Sequence, residues 1–223
     1  MLVPGTARVM AAMSLPSAAP PLSTMTFGPL RIDYDETVLR PRGWTRSQAL
    51  WASDLLVRLP RGPVLELCTG AGHIGLLAVH GHDRTLVAVD ASPEACAWAR
   101  SNAAVNGIDV DVREGEMTTV LRDGERFGLI LADPPWVPHD DIDRFPDDPT
   151  TAIDGGDDGL GVARTCVELI GVHLAEGGAA LLQLGTTGQL DGLGPELDEA
   201  GLVAGARFVV PERGLVACLR RPV

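Results

Sequence analysis

No apolar run in the 223-residue chain approaches the roughly 20 residues that a membrane-spanning helix needs, although 45% of its residues are hydrophobic. Nothing in the sequence is expected to cross a bilayer. The four cysteines, Cys68, Cys96, Cys166 and Cys218, include no C-x-x-C pair and sit in apolar or helical runs. That pattern fits neither a zinc site nor a disulfide framework, and they read as reduced thiols. The first residues carry neither a positive start followed by an apolar core nor an Arg-rich amphipathic pattern. No secretory or transit signal is predicted, and a cytoplasmic location is expected. There is no internal repeat.

Basic residues are also scarce: 18 stand against 30 acidic ones, for a net charge of −12. A duplex-binding protein presents a basic face that displaces counterions, so nucleic acid is disfavoured as a partner. Much of the excess is local, since His139 to Gly159 holds eight Asp and a single Arg144. Its plainest reading is a solvated acidic loop.

What is present is enough for one well-buried domain, expected over residues 30–223. Residues 1–29, rich in Ala, Pro and Ser, read as a low-complexity disordered arm, with Met13 and Met25 as further candidate starts. Val64 to Thr69 is a short apolar strand stopped by Gly70-Ala71-Gly72, with helical spacing from Ile74 to His80. Thr85 to Asp90 is a second strand. Ser92 and Pro93 then cap and open a helix that runs to about Asn106 and stops at Gly107. Asp109 to Glu114 and Phe127 to Ala132 are two more strands, and the latter runs into Asp133-Pro134-Pro135-Trp136, whose prolines prevent further pairing. A helix over Leu160 to Ala175, ended by Gly177-Gly178, leads to a strand over Ala179 to Leu184. A helix near Gly188 to Ala200 and an antiparallel hairpin, Ala204 to Val210 with Leu215 to Leu219, complete the chain. Alternating apolar strands and helices predict an α/β, doubly wound, mostly parallel seven-stranded sheet with helices on both faces.

Gly70-Ala71-Gly72-His73-Ile74-Gly75 matches G-x-G-x-x-G, and Asp90 follows about 20 residues later at the end of the next strand. Such a loop brings backbone close to a ligand and directs helix N–H groups at it, while the acid binds ribose hydroxyls. Glu66 and the Cys68-Thr69 turn before the glycines decide between two ribose-bearing cofactors. Two flanking acids suit the sulfonium and ammonium of S-adenosylmethionine better than the pyrophosphate of NAD.

The second constellation is Asp133-Pro134-Pro135-Trp136, at the carboxyl end of a strand, where ligands bind in such sheets. Methyl transfer to nitrogen is an in-line displacement in which positioning does most of the work. Asp133 supplies an acceptor for an N–H group, a carbonyl of the Pro134-Pro135 turn supplies another, and Trp136 offers a flat face to a planar amide or amine.

From Val38 to Leu184 the chain resembles the HemK/PrmC family, the protein-(glutamine-N5) methyltransferases that modify peptide-chain release factors. Pro41-Arg-Gly-Trp-Thr45 resembles the family's P-R-x-x-T segment, Cys68-Thr69-Gly70-Ala71-Gly72 its cofactor loop and Asp133 to Trp136 its N-P-P-Y corner. Gly155-Gly-Asp-Asp-Gly-Leu160 resembles its G-G-x-D-G-L stretch. The resemblance implies a class I S-adenosylmethionine-dependent methyltransferase that holds the cofactor with Thr45, Glu66, Cys68 to Gly72, Asp90, Ala91, Glu116, Met117 and Asp133, and uses no metal. Three residues depart from the pattern: Asp133 for Asn, Trp136 for Tyr, and Cys68 for the first glycine, the last compatible with a negative φ there. The helical N-terminal domain usual in the family has no counterpart, which leaves room for a partner subunit to supply substrate docking.

The expected substrate is a protein or peptide glutamine-type amide, or a small-molecule nitrogen. D-P-P-W also resembles the corner of nucleic-acid amino methyltransferases of the adenine-N6 or guanine-N2 type, which is the alternative. A nicotinamide oxidoreductase leaves Glu66 and the corner unexplained, and a non-catalytic scaffold remains a further reading. Among the histidines, His80 and His82 lack companion ligands for a metal, His73 stands where it could meet the cofactor carboxylate, and His139 lies three residues past Trp136.

Overall fold

A computed structural model describes residues 22–222. The chain opens with an antiparallel hairpin, β1 (Ser23–Phe27) and β2 (Leu30–Tyr34), then a 3-10 turn at Gly43–Thr45 and helix α1 (Arg46–Leu56). There follow β3 (Val64–Leu67), α2 (His73–Val79), β4 (Leu86–Asp90), α3 (Pro93–Val105), β5 (Val110–Glu114), α4 (Met117–Val120) and β6 (Phe127–Ala132). A long connection containing a 3-10 segment, His139–Arg144, and α5 (Thr150–Ile153) leads to α6 (Gly161–His173). Next come β7 (Leu174–Leu184), α7 (Thr187–Gly192), α8 (Gly194–Glu199), β8 (Val203–Val210) and β9 (Gly214–Arg220).

Seven strands form one sheet in the order β5-β4-β3-β6-β7-β9-β8. The first five run parallel, while β9 is antiparallel to both of its neighbours. Winding reverses between β3 and β6, which lie side by side in register with Leu67 opposite Ala132. The residues that follow, Cys68 and Asp133, therefore leave the sheet together at the switch point, where ligands bind in this architecture. Side-chain alternation sorts the core into two layers. Val64, Leu129, Leu131 and Leu181 face α1, α2, α3 and the hairpin; Leu65, Leu67, Ile130 and Leu182 face α6 and its successors.

The structure differs from the sequence reading in several elements, with β2, α4 and α5 among those added. Ser23–Phe27 is a strand rather than part of an arm ending at residue 29, because Phe27, Leu30 and Ile32 bury fully against the core; residues 1–21 of that expected arm lie outside the described residues. Helix α1 is added. Strand β7 begins at Leu174, directly after α6, and Gly177-Gly178 lie inside it near a register shift against β6. The helix read near Gly188 to Ala200 is two helices, because Pro195 at the start of α8 has no N–H with which to continue the α7 ladder. Among the described residues no helix is long and apolar enough to cross a membrane.

Candidate active site

The glycine loop turns sharply through three left-handed residues: Cys68 (φ 58°), Gly70 (φ 52°) and Gly72 (φ 80°). The expectation of a negative φ at Cys68 is overturned. The loop is pinned by Thr69 N–H donating to the Val89 carbonyl (3.0 Å) and Gly72 N–H to the Thr69 carbonyl (2.8 Å), so residue 68 absorbs the turn although it has a Cβ. A left-handed non-glycine residue costs about 1–2 kcal/mol. Cys68→Gly is therefore expected to stabilise the chain by about 1 kcal/mol, read as a rise in Tm of a few degrees. An unchanged or lower Tm would show that the thiol's packing outweighs the backbone strain.

Glu66 does not project into the mouth of the site. Strand alternation places it on the same face as Val64, and its carboxylate accepts hydrogen bonds from Thr69 Oγ1 and from the Gly75 N–H (2.7 Å). It braces the loop to the first turn of α2. A Cβ at Gly75 would lie 2.4 Å from Glu66 Oε2, so that glycine is required by the brace. Burial, with help from Asp133 and Asp90, pushes the Glu66 carboxyl up to about 7.

Asp90 ends β4 half-buried. Its carboxylate accepts from the Gly70 N–H (2.8 Å) and the Ser92 N–H (3.0 Å), joining the loop to the start of α3. Burial outweighs those bonds and raises its pKa. Ala91 is exposed beside it, Glu116 is exposed at the start of α4, and Met117 is half-buried with its sulfur 3.9 Å from Cys166 Sγ. Thr45 is buried rather than facing the mouth: its hydroxyl donates to the Arg42 carbonyl (2.8 Å) and lies 3.2 Å from His73 Nε2. His73 is buried as well, edge-on to Phe27, and burial pushes it down to about 4, so it is a neutral core residue.

Across the switch point, Asp133 is half-buried and makes no hydrogen bond among the described residues; burial alone pushes its carboxyl up to about 7. Pro134 and Pro135 follow with trans peptide bonds. The Trp136 ring is seated on Gly185, where an added Cβ would lie 2.3 Å from its Cε3. Its free side borders a cleft of about 520 Å³ lined also by Phe145, Asp158, Leu160, Thr186 and Gln189.

The family described as "Methyltransferase small domain" matches residues 46–145. A "Release factor glutamine methyltransferase" of Mycolicibacterium smegmatis is 35% identical over 73% of this chain and 59% of its own length. A "Ribosomal protein uL3 glutamine methyltransferase" of Francisella tularensis is 30% identical over 72% of this chain and 54% of its own. The chain is similar to the HemK/PrmC-type class I methyltransferases. It spans between half and two thirds of the length of those two relatives. In fold it is similar to the ribosomal protein L11 methylase from Lactobacillus delbrueckii subsp. bulgaricus, with a TM-score of 0.62 at 19% identity over 82% of each chain.

Two HemK/PrmC-type motifs have a structural meaning here that their spacing does not reveal. The G-G-x-D-G-L stretch clamps the corner: Gly155 N–H donates to the Val137 carbonyl (2.8 Å), His139 N–H to the Gly156 carbonyl (2.9 Å) and Val137 N–H to the Ile153 carbonyl (2.9 Å). The acidic connection is also partly tied down. Asp148 pairs with Arg42 of the P-R-x-x-T segment, Asp154 with His139, and Asp158 with Arg164. His139 is exposed and held by Asp154, which raises its pKa, so it does not face the corner as a base. His82 is hydrogen-bonded to Ser53 (2.7 Å).

Three positioning residues escaped the sequence reading. Buried Gln48 of α1 donates to the carbonyls of Ala132 (3.3 Å) and Leu181 (3.1 Å), bridging β6 and β7 just before Asp133. Buried Asn102 of α3 donates to the Asp33 and Ala71 carbonyls (2.9 Å each) and accepts from the Asp33 N–H (2.8 Å), fastening the hairpin to the glycine loop. Gln189 is the third. The one sequence signal for Asn102 is a polar residue on an otherwise apolar helix face.

Proposed function

We propose that the chain is an S-adenosylmethionine-dependent N-methyltransferase that acts on a glutamine-type amide of a protein or peptide. The observation that carries this reading is the half-buried carboxyl of Asp133, which has no hydrogen-bond partner among the described residues and is set beside the Pro134-Pro135 carbonyls at the switch point. An amide nitrogen offers N–H groups, and acceptors aimed at them orient the lone pair while drawing electron density onto nitrogen. The substrate enters nitrogen-first, because its carbonyl oxygen would be repelled by the carboxylate. On transfer the nitrogen gains a methyl group and gives up a proton, and Asp133 is placed to take that proton.

The donor set fits the cofactor. Glu66 and Asp133 are both pushed up to about 7, with Asp133 and Asp90 adding to the shift on Glu66. A cationic ligand relieves that repulsion, and Gly70, with nothing within 4 Å of a built Cβ, leaves the loop open to one. Asp90 would hold the ribose, Met117 would flank the adenine, and S-adenosylmethionine supplies an electrophilic methyl group on a positively charged sulfur. The uL3 and release-factor names of the relatives favour a protein substrate and a cytoplasmic place of action.

A proton linkage follows with a definite sign. Both carboxyls titrate near 7 in the free protein, and a cation favours their ionised forms, so binding releases protons and tightens as pH rises from 6 to 8. Calorimetry in two buffers of different ionisation enthalpy is expected to show proton release on binding S-adenosylmethionine. Release on binding S-adenosylhomocysteine, which lacks the sulfonium charge, is expected to be smaller. Equal release for both ligands would contradict this electrostatic account.

The substrate class is tested by incubating the protein with methyl-labelled S-adenosylmethionine and a fractionated lysate. Label in the protease-sensitive pool supports the reading. The alternative, a nucleic-acid amino methyltransferase, is favoured by the D-P-P-W composition and opposed by the eight Asp between His139 and Gly159; label in the nuclease-sensitive pool would select it.

A further inference from the structure

The turn from β7 into α7 belongs to none of the motifs, yet it holds the corner from the far side through one side chain. Gln189 Oε1 accepts from the Gly185 N–H (2.9 Å) and the Thr186 N–H (3.0 Å), while Thr186 Oγ1 accepts from the Gln189 N–H (3.1 Å). These bonds form a reciprocal cap at the start of α7. In the other direction, Gln189 Nε2 donates to the Trp136 carbonyl (2.8 Å) and, at 3.4 Å, to the Gly159 carbonyl. The same turn supplies Gly185, on which the Trp136 ring rests. A primary amide is the one side-chain group that can accept at the cap and donate twice on the other side. Glutamate serves equally well as the capping partner at this helix position, so the cap alone does not require an amide.

We propose that Gln189 is a positioning residue for methyl transfer: its amide fixes the Trp136-Val137 peptide, through the Trp136 carbonyl, against the end of β7 and the G-G-x-D-G-L loop, and so holds the Pro134-Pro135-Trp136 turn and the Asp133 carboxyl at the working geometry. Its link to transfer rests on the corner being the transfer site; the brace itself does not. Without the two donated bonds, the Trp136 and Gly159 carbonyls lose their shared partner and the corner is held on one side alone.

Gln189→Glu separates the two halves, because it keeps the acceptor at the cap and turns an oxygen lone pair toward two carbonyl oxygens. Thr186→Ala does the reverse, removing a cap bond and leaving the donors. Hydrogen exchange is the first readout, since it needs no substrate. In Gln189→Glu the Val137 and His139 amides are expected to exchange about tenfold faster with little change in Tm, whereas Thr186→Ala leaves those two amides as they are. With an identified substrate, Gln189→Glu is expected to lower kcat roughly ten- to a hundredfold at unchanged affinity for S-adenosylmethionine, the scale of a slight misplacement at a reacting centre. Wild-type exchange at Val137 and His139 in Gln189→Glu would overturn the brace, and wild-type kcat would overturn its link to transfer. A wild-type protein inert toward every labelled pool would instead sink the methyltransferase reading, while exchange still decides the brace.

Discussion

Asp133→Ala is expected to lower methyl transfer by about a thousandfold while leaving affinity for S-adenosylmethionine within roughly tenfold of wild type. Removal of one group that meets the charge developing in a transition state typically costs ~10²- to 10³-fold. Asp133 is also placed to take the departing proton, which sets the effect at the upper end. The loop proposed to hold the cofactor keeps its shape in this variant, because Glu66, Asp90 and the glycine turn are braced by bonds that do not involve Asp133. Asp133→Asn is the informative partner. It restores the residue usual in the family it resembles and keeps an acceptor oxygen but does not ionise, so it is expected to fall only about tenfold and to lose the rise in rate through pH 7 that a carboxyl pushed up to about 7 in the free protein imposes at subsaturating cofactor. Initial rates across pH 6 to 8 for the three proteins check this, and an Asp133→Ala enzyme with near wild-type turnover would remove Asp133 from the mechanism.

The second large effect is expected at Gly159, whose φ of +72° strains any side chain and whose added Cβ would lie 2.4 Å from the Trp136 carbonyl oxygen and 2.7 Å from Gln189 Nε2. The carbonyl is backbone, so relief requires the corner itself to move. Conformational strain of about 1–2 kcal/mol and overpacking of about 1–3 kcal/mol together put the loss near 3 kcal/mol, or roughly 10 °C in Tm for a chain of this size. Gly107→Ala separates the two contributions: its φ is +65° with nothing within 4 Å of a Cβ, so it carries the conformational part alone. Thermal unfolding is expected to rank Gly159→Ala well below Gly107→Ala, with transfer lost in the first and kept in the second. Equal Tm values would mean that the clamp is not tight.

The elements that proved legible are those whose signal is local. Strand β3, the glycine turn, Ser92 capping α3 and the strand that runs into two prolines each announce themselves within about ten residues. A seven-stranded, mostly parallel sheet with an antiparallel C-terminal pair follows from that alternation and the hairpin turn at Pro211 to Gly214, while the order of its strands is read from the structure. What escaped depends on partners far along the chain. The β1–β2 hairpin is fastened by Asn102, 69 residues beyond Asp33, and Trp136 is held by Gln189, 53 residues further on. Helix α1 buries Gln48, Ala49, Ala52 and Leu56, a face too polar and too small to show as an apolar stripe. Gly177-Gly178 read as a helix end because α6 passes into β7 with no loop between them. At Glu66 the acid was identified but its direction was not, although the period of two that places it with Val64 toward α2 is present in the sequence.

The central claim is transfer to an amide nitrogen, and the product of transfer tests it most directly. A protein fraction is incubated with the enzyme and S-adenosylmethionine carrying an isotopically labelled methyl group, then digested completely in acid, and the label is followed by mass spectrometry. Acid splits a side-chain N-methyl amide into glutamate and methylamine. The account predicts that the label leaves the protein as methylamine, in an amount that falls about a thousandfold with Asp133→Ala. Label that stays on an amino acid after hydrolysis, or that enters only the nucleic-acid fraction, would contradict it.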